Sequence, residues 1–160
     1  MKALALLVLL AQPTSSPDLI GLAIPSDLGN LKHKQGACIA GSALGWKRSC
    51  EYSVGILEDS SGTPKFLFGS RRANENDPLA ARWVITDALP YPNLPKGYFI
   101  SMANCEMGGK PDQTLFAAVR YADTEWHKDI LWVRKYDLQS GKFAEHSAKN
   151  VRCANESWGI

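Results

Sequence analysis

The sequence lacks the short motifs that mark several enzyme classes. It contains no G-x-S-x-G nucleophile elbow, no S-x-x-K pair and no H-E-x-x-H zinc helix. It has no C-x-x-C either, which excludes a zinc ribbon and a thioredoxin-type redox motif. We therefore expect no metal and no cofactor. A hydrolase with scattered serine, histidine and acid residues stays open, because such triads assemble in space.

The sequence also lacks a concentration of charge of one sign. Its 18 lysine and arginine residues and 16 aspartate and glutamate residues give a net charge of +2. The basic residues are scattered, with only short clusters such as Arg71-Arg72. Nucleic-acid-binding domains gather basic residues on one face, so we expect no nucleic-acid partner.

The apolar run at residues 3–11 is too short to span a membrane. A span needs roughly 20 apolar residues, and this run has about half that number. It follows Lys2 and precedes a polar segment, which is typical of a secretory signal peptide. We assign residues 1–16 to such a peptide, cut after Ala11 or around Ser15, and expect no membrane span once it is removed. The alternative is an apolar N-terminal strand of a cytosolic protein.

Four cysteines fit an exported protein, because an even number usually pairs in an oxidising compartment. Three connectivities are open. We prefer Cys38 with Cys50, which closes a short loop, and Cys105 with Cys153, which ties a late strand to the C-terminal region. In a reducing compartment the four would instead be buried free thiols.

A chain of 160 residues with 45% apolar residues is long enough for one domain with a packed core. Prolines and glycines interrupt residues 17–35, which we interpret as an N-terminal arm. Residues 36–160 are predicted to form a single disulfide-linked, β-rich domain. Its first segment, residues 36–47, carries three glycines and is predicted to be an edge strand and a loop.

Alternating apolar and polar residues predict antiparallel strands through most of this domain. Predicted strands lie in a hairpin over residues 52–68 and at residues 83–88, 98–105 and 115–121. Short helical turns are predicted at residues 77–81 and 123–127, where Asp77 and Asp123 are suitable caps. The fold class is therefore mainly β, a single antiparallel sandwich or open roll of about six to eight strands with one or two short helical turns.

Residues 130–136 fit two patterns. Ile130, Trp132, Arg134 and Tyr136 alternate as in a strand, but Trp132 and Tyr136 would also meet on a helix. We favour the strand because a turn containing Gly141 follows and the next residues can pair back. The alternative is an α+β fold with a helix at about residues 124–138.

His127 is the best candidate for chemistry among the three histidines. Asp123, Glu125 and Asp129 lie close in sequence and could orient or charge its imidazole. The alternative function is thus a small periplasmic hydrolase centred on His127 with Asp123. The spacing of the three carboxylates does not match a calcium-binding EF-hand loop.

A second candidate site is an aromatic and basic binding patch formed by Trp126, His127, Arg134 and Tyr136. Tryptophan, tyrosine and arginine are enriched at the energetic centres of interfaces. The competing interpretation is that these aromatic rings belong to the core. The expected partner is an envelope or extracellular protein or a small ligand.

Four segments carry a resemblance: YFISMANC, the D-x-E-W of residues 123–126, WVRKYDLQSGKF and VRCANESWG. Residues 83–159 are similar to small uncharacterised exported proteins of proteobacteria. The resemblance implies a bacterial source and a periplasmic or secreted location, and it carries no catalytic residue. We therefore expect an exported, non-enzymatic accessory or binding protein of the bacterial envelope. A purely structural envelope component is a third possibility.

Overall fold

A computed structural model describes residues 16–39, 50–73 and 82–159. Thirteen β-strands and one turn of 3₁₀-helix, Pro17–Leu19, lie within these ranges. The strands are β1 (Ala23–Ile24), β2 (Lys32–Ile39), β3 (Tyr52–Glu58), β4 (Pro64–Arg72), β5 (Trp83–Pro90), β6 (Tyr98–Met102), β7 (Cys105–Met107), β8 (Lys110–Pro111), β9 (Leu115–Arg120), β10 (Trp126–His127), β11 (Ile130–Asp137), β12 (Lys142–His146) and β13 (Val151–Ala154). Every pairing between them is antiparallel, which confirms the predicted mainly β fold.

The first sheet has the strand order β1-β5-β4-β3-β2. Its predicted hairpin is confirmed as β3 and β4. Asp59 Oδ1 holds the connecting turn by accepting hydrogen bonds from the backbone N–H groups of Ser61 (2.9 Å) and Thr63 (3.0 Å). Gly62 adopts φ +82° there, a conformation that glycine reaches without steric cost.

The second sheet has the order β12-β11-β9-β6, with β9 buried on both faces. Strand β11 pairs with both β9 and β12, so the strand prediction is confirmed and the helix at residues 124–138 is wrong. Gly141 closes the β11–β12 turn with φ +68°, as its position predicts.

The third sheet, β10-β13-β7-β8, differs most from the sequence prediction. Ala103 has φ +60°, which ends β6 at Met102 and breaks the single strand predicted over residues 98–105. The helical turn predicted at residues 123–127 is also wrong. Residues 123–125 form a bend, and Trp126 pairs with Ala154 of β13 instead.

The sheets pack around three apolar clusters. The first and second sheets enclose one cluster, which includes Val54, Leu67 and Tyr136. The second and third sheets share another, which includes Leu115 and Val133. The two faces of β9 therefore contribute to different cores.

The third cluster lies on the outer face of the first sheet, where the predicted arm packs. Leu19, Ile24 and Leu28 are buried there against residues of the first sheet that include Phe68. Strand β1 pairs with β5, and the predicted boundary between residues 35 and 36 falls inside β2. Residues of the arm thus complete the packed body.

The predicted cysteine pairing is confirmed. Disulfides join Cys38 to Cys50 and Cys105 to Cys153. The helical turn predicted at residues 77–81 and nearly all of the predicted signal peptide lie outside the described residues. Within the described ranges, no helix has the length and apolar character needed to cross a membrane.

Candidate functional site

Tyr136 is a core residue and does not belong to an exposed patch. Its side chain is fully buried, and its hydroxyl lies 2.5 Å from Thr86 Oγ1. Burial raises the pKa of Tyr136 to about 12. The face of β11 that carries Tyr136 is turned towards the first sheet, so the alternation that aligns Tyr136 with Arg134 carries its ring into the core.

Trp126 lies on β10 in the third sheet, whereas Arg134 lies on β11 in the second sheet. The guanidinium carbon of Arg152 sits 4.0 Å from the centroid of the Trp126 ring. Arg152 Nε donates a 2.5 Å hydrogen bond to Glu106 Oε1, and the two residues face each other across β13 and β7. Trp126 therefore stacks on Arg152, which is itself ion-paired with Glu106, and the structure does not bring Trp126 together with Arg134 and Tyr136.

His127 is buried, with 2% of its surface exposed. Its Nδ1 accepts a hydrogen bond from the backbone N–H of Ala122 (3.2 Å), which places the proton of the neutral ring on Nε2. The ring packs against Phe99 and Tyr121, with centroid distances of 5.2 and 5.8 Å. Burial lowers the pKa of His127, so the imidazole is neutral at pH 7.

The carboxylates expected beside this imidazole have other surroundings. Asp123 and Glu125 are exposed. Asp129 forms an ion pair with Arg120 (3.1 Å) and accepts a hydrogen bond from the hydroxyl of Tyr98 (3.0 Å). The contacts described for the imidazole are thus aromatic rings and a backbone amide. No group of three or more metal-ligating side chains occurs in the described ranges.

A cleft of about 220 Å³ opens where β11 faces β4 and the end of β5. It is lined by aliphatic and proline side chains together with one tryptophan and one arginine: Leu67, Leu89, Pro90, Pro92, Trp132 and Arg134. Trp132 and Arg134 share the inward face of β11 with Tyr136. In this cleft an aromatic ring and a cation line one concave, mostly apolar surface.

Prolines shape one wall of this cleft. Pro90 ends β5, and Pro92 lies in the irregular segment that follows. The backbone N–H of Tyr91 donates to the carbonyl of Lys65 (2.7 Å), which anchors the segment to β4. Proline has no N–H group, so Pro90 and Pro92 offer no hydrogen-bond donor to the cleft.

Arg134 supplies positive charge to the cleft. Its side chain is 15% exposed, and its Nη1 lies 2.5 Å from Oε1 of Glu145, whose side chain is 58% exposed. Its guanidinium carbon lies 5.9 Å from the centroid of the Trp132 ring. Burial lowers the pKa of Arg134, but an arginine remains cationic at neutral pH. The cleft can therefore hold an apolar group and offer a charged donor to an acceptor on it.

Sequence reasoning identified Arg134 but missed the rest of this cleft. The alternation of β11 already placed Trp132 beside Arg134, and that signal could have included Trp132 in the site. Sequence reasoning also missed Asn155, a buried residue whose Nδ2 donates hydrogen bonds to the carbonyls of Ala122 (3.1 Å) and Thr124 (3.0 Å). Asn155 thereby fixes the loop that leads to His127.

The fold and cleft define a small, disulfide-linked, antiparallel β protein with one described apolar site that carries a cation. Comparisons with protein-family models, with curated proteins and with solved structures find no match to this chain.

Proposed function

We propose that this chain is an exported, non-enzymatic binding protein of the bacterial envelope that takes a small apolar ligand into the cleft between β11 and the β4–β5 pair. The observation that carries this proposal is the largely buried guanidinium of Arg134 in an otherwise mostly apolar concave wall. Small-molecule sites are typically concave and mostly apolar, with a few polar groups that orient the ligand.

An exported location is supported by the two disulfides and by the predicted leader. Disulfides persist in oxidising compartments, which include the periplasm and the extracellular medium. The apolar run at residues 3–11 follows a basic residue, as in a secretory signal peptide. The envelope is proposed on the expectation that residues 83–159 are similar to exported proteins of proteobacteria.

Binding rather than hydrolysis is favoured by the surroundings of the two candidate sites. A histidine that acts as a general base must lie within hydrogen-bonding reach of the proton that it takes from a bound group. The contacts described for His127 are two aromatic rings and a backbone N–H. Arg134 and Trp132, by contrast, lie together at an open cleft and could contact a ligand directly.

The proposal is tested with 1-anilinonaphthalene-8-sulfonate, a fluorescent anion with apolar aromatic rings, added to the folded, oxidised protein. We expect saturable binding that Trp132→Ala weakens at least about tenfold, which corresponds to roughly 1.4 kcal/mol. The matched control is Leu131→Ala, because Leu131 is the neighbouring residue on β11, is 47% exposed and does not line the cleft. Absence of binding, or equal weakening by both substitutions, would refute the proposal. Circular dichroism verifies that each variant is folded.

A further inference from the structure

We infer that the cleft takes a small apolar molecule ending in a carboxylate, and that Glu145 occupies the Arg134 guanidinium until the ligand carboxylate displaces it. This inference rests on the proposed binding function and specifies its ligand class. It also gives Glu145 a role as an internal competitor.

The register of the second sheet places the two charged side chains together. Arg134 of β11 lies directly opposite Glu145 of β12, and on its other side it faces Phe116 of β9. Glu145 is therefore the acidic residue that the register brings to the guanidinium. A guanidinium can donate two parallel hydrogen bonds to one carboxylate, which makes arginine well suited to recognise a ligand carboxylate.

The two partners of this ion pair differ in exposure. The Glu145 side chain is 58% exposed, whereas that of Arg134 is 15% exposed. Glu145 can return to water at little cost, because ion pairs with exposed partners contribute little. The Arg134 guanidinium cannot return to water in the same way, and a largely buried cation without a partner is costly. An incoming carboxylate would therefore exchange with Glu145.

The remaining walls set the character of the rest of the ligand. Leu67, Leu89, Pro90 and Pro92 present side chains without hydrogen-bond donors, and the ring of Trp132 adds an aromatic face. Polar groups buried without partners are unfavourable, so the part of the ligand inside the cleft should be apolar. A volume of about 220 Å³ restricts this part to a small molecule or to one terminal group of a larger one.

The test compares two probes of nearly equal shape, 3-phenylpropionate and the neutral alcohol 3-phenylpropan-1-ol. Isothermal titration calorimetry measures both against the wild-type protein, Glu145→Gln and the control Glu125→Gln, which alters an exposed carboxylate in the bend before β10. We expect the wild type to bind the carboxylate at least tenfold more tightly than the alcohol. Glu145→Gln should tighten carboxylate binding several-fold and leave alcohol binding unchanged, and Glu125→Gln should match the wild type.

The outcomes separate this inference from the proposed function. Equal affinity for the two probes would overturn the carboxylate assignment and leave a binding cleft in place. A Glu145→Gln variant indistinguishable from Glu125→Gln would overturn the exchange with Glu145. If neither probe binds and the fluorescent anion also fails to bind, the proposed function itself is wrong. Because Glu145→Gln removes the ion-pair partner of the largely buried Arg134, circular dichroism verifies that this variant is folded before the titrations.

Discussion

Replacing Gly69 with alanine should destabilise the protein through a clash with Tyr136. The Cβ of an alanine would lie 2.6 and 2.7 Å from Cδ2 and Cζ of the Tyr136 ring, and closer still to Cε2. Gly69 does not have a positive φ, so the expected cost comes from packing and not from backbone strain.

The ring of Tyr136 has little room to yield. It is fully buried, its hydroxyl is hydrogen-bonded to Thr86, and it packs against Phe143 with a centroid distance of 5.2 Å. Overpacking of this kind typically costs about 1–3 kcal/mol. Because 1 kcal/mol shifts the melting temperature of a domain near this size by roughly 2–4 °C, we expect Gly69→Ala to lower it by roughly 2–12 °C.

Thermal unfolding monitored by circular dichroism under non-reducing conditions measures this effect. The control is a double-mutant cycle with Tyr136→Leu, which removes Cε2 and Cζ of the ring that an alanine would strike. The two substitutions should couple by at least about 0.5 kcal/mol, so that the double variant is more stable than the sum of the single changes implies. An unchanged melting temperature for Gly69→Ala would show that the ring moves aside freely. Additive effects in the cycle would show that the cost does not come from contact with Tyr136.

Three further predictions concern other parts of the molecule. Burial lowers the pKa of His127 below its ordinary 6.5. As pH falls, the imidazole is therefore protonated in the unfolded chain before it is protonated in the folded protein. The free energy of unfolding should fall as pH drops from about 6.5 through the lowered pKa, and His127→Asn should flatten that region of a urea-denaturation series. Asn155→Ala should cost about 1–3 kcal/mol and speed amide exchange in residues 121–125, and unchanged exchange would contradict its role in fixing that loop. Replacing Cys105 and Cys153 by serine should lower the free energy of unfolding by about 4 kcal/mol according to the chain-entropy relation. The same replacement of Cys38 and Cys50, which close a shorter loop, should lower it by about 3 kcal/mol. The opposite order in urea denaturation would contradict the relation.

The local sequence pattern was sufficient to predict the structure of segments whose conformation depends on their own residues. The alternation of residues 115–121 predicted a strand, which the structure has as β9, and Gly141 predicted the turn after β11. Both features follow from short-range stereochemistry, which a single sequence displays.

Features that depend on distant partners were beyond the sequence. Trp126 and His127 form a strand only because β13 pairs with them, and local capping signals suggested a helical turn. Ala103 breaks a strand through a positive φ, although alanine gives no turn signal. Tyr136 is more deeply buried than Arg134 because of the way in which the first sheet covers β11. No local sequence pattern encodes this packing.

The candidate site was only half predictable for the same reason. Trp132 and Arg134 could be grouped from the alternation of β11. The apolar residues opposite them come from β4, β5 and the segment after β5, and they meet β11 only after two sheets pack. The resulting site is concave, whereas the sequence suggested a patch on an exposed face.

The packing of the arm on the first sheet also has a consequence for the order of events during biosynthesis. Residues that include Leu19 and Ile24 leave the ribosome well before their partner strand β5, which ends at Pro90. Until β5 has emerged, the arm cannot pair with it, and the outer face that includes Phe68 stays uncovered. Every nascent chain must therefore pass through an interval in which two complementary apolar surfaces are both exposed, the condition under which incomplete chains aggregate.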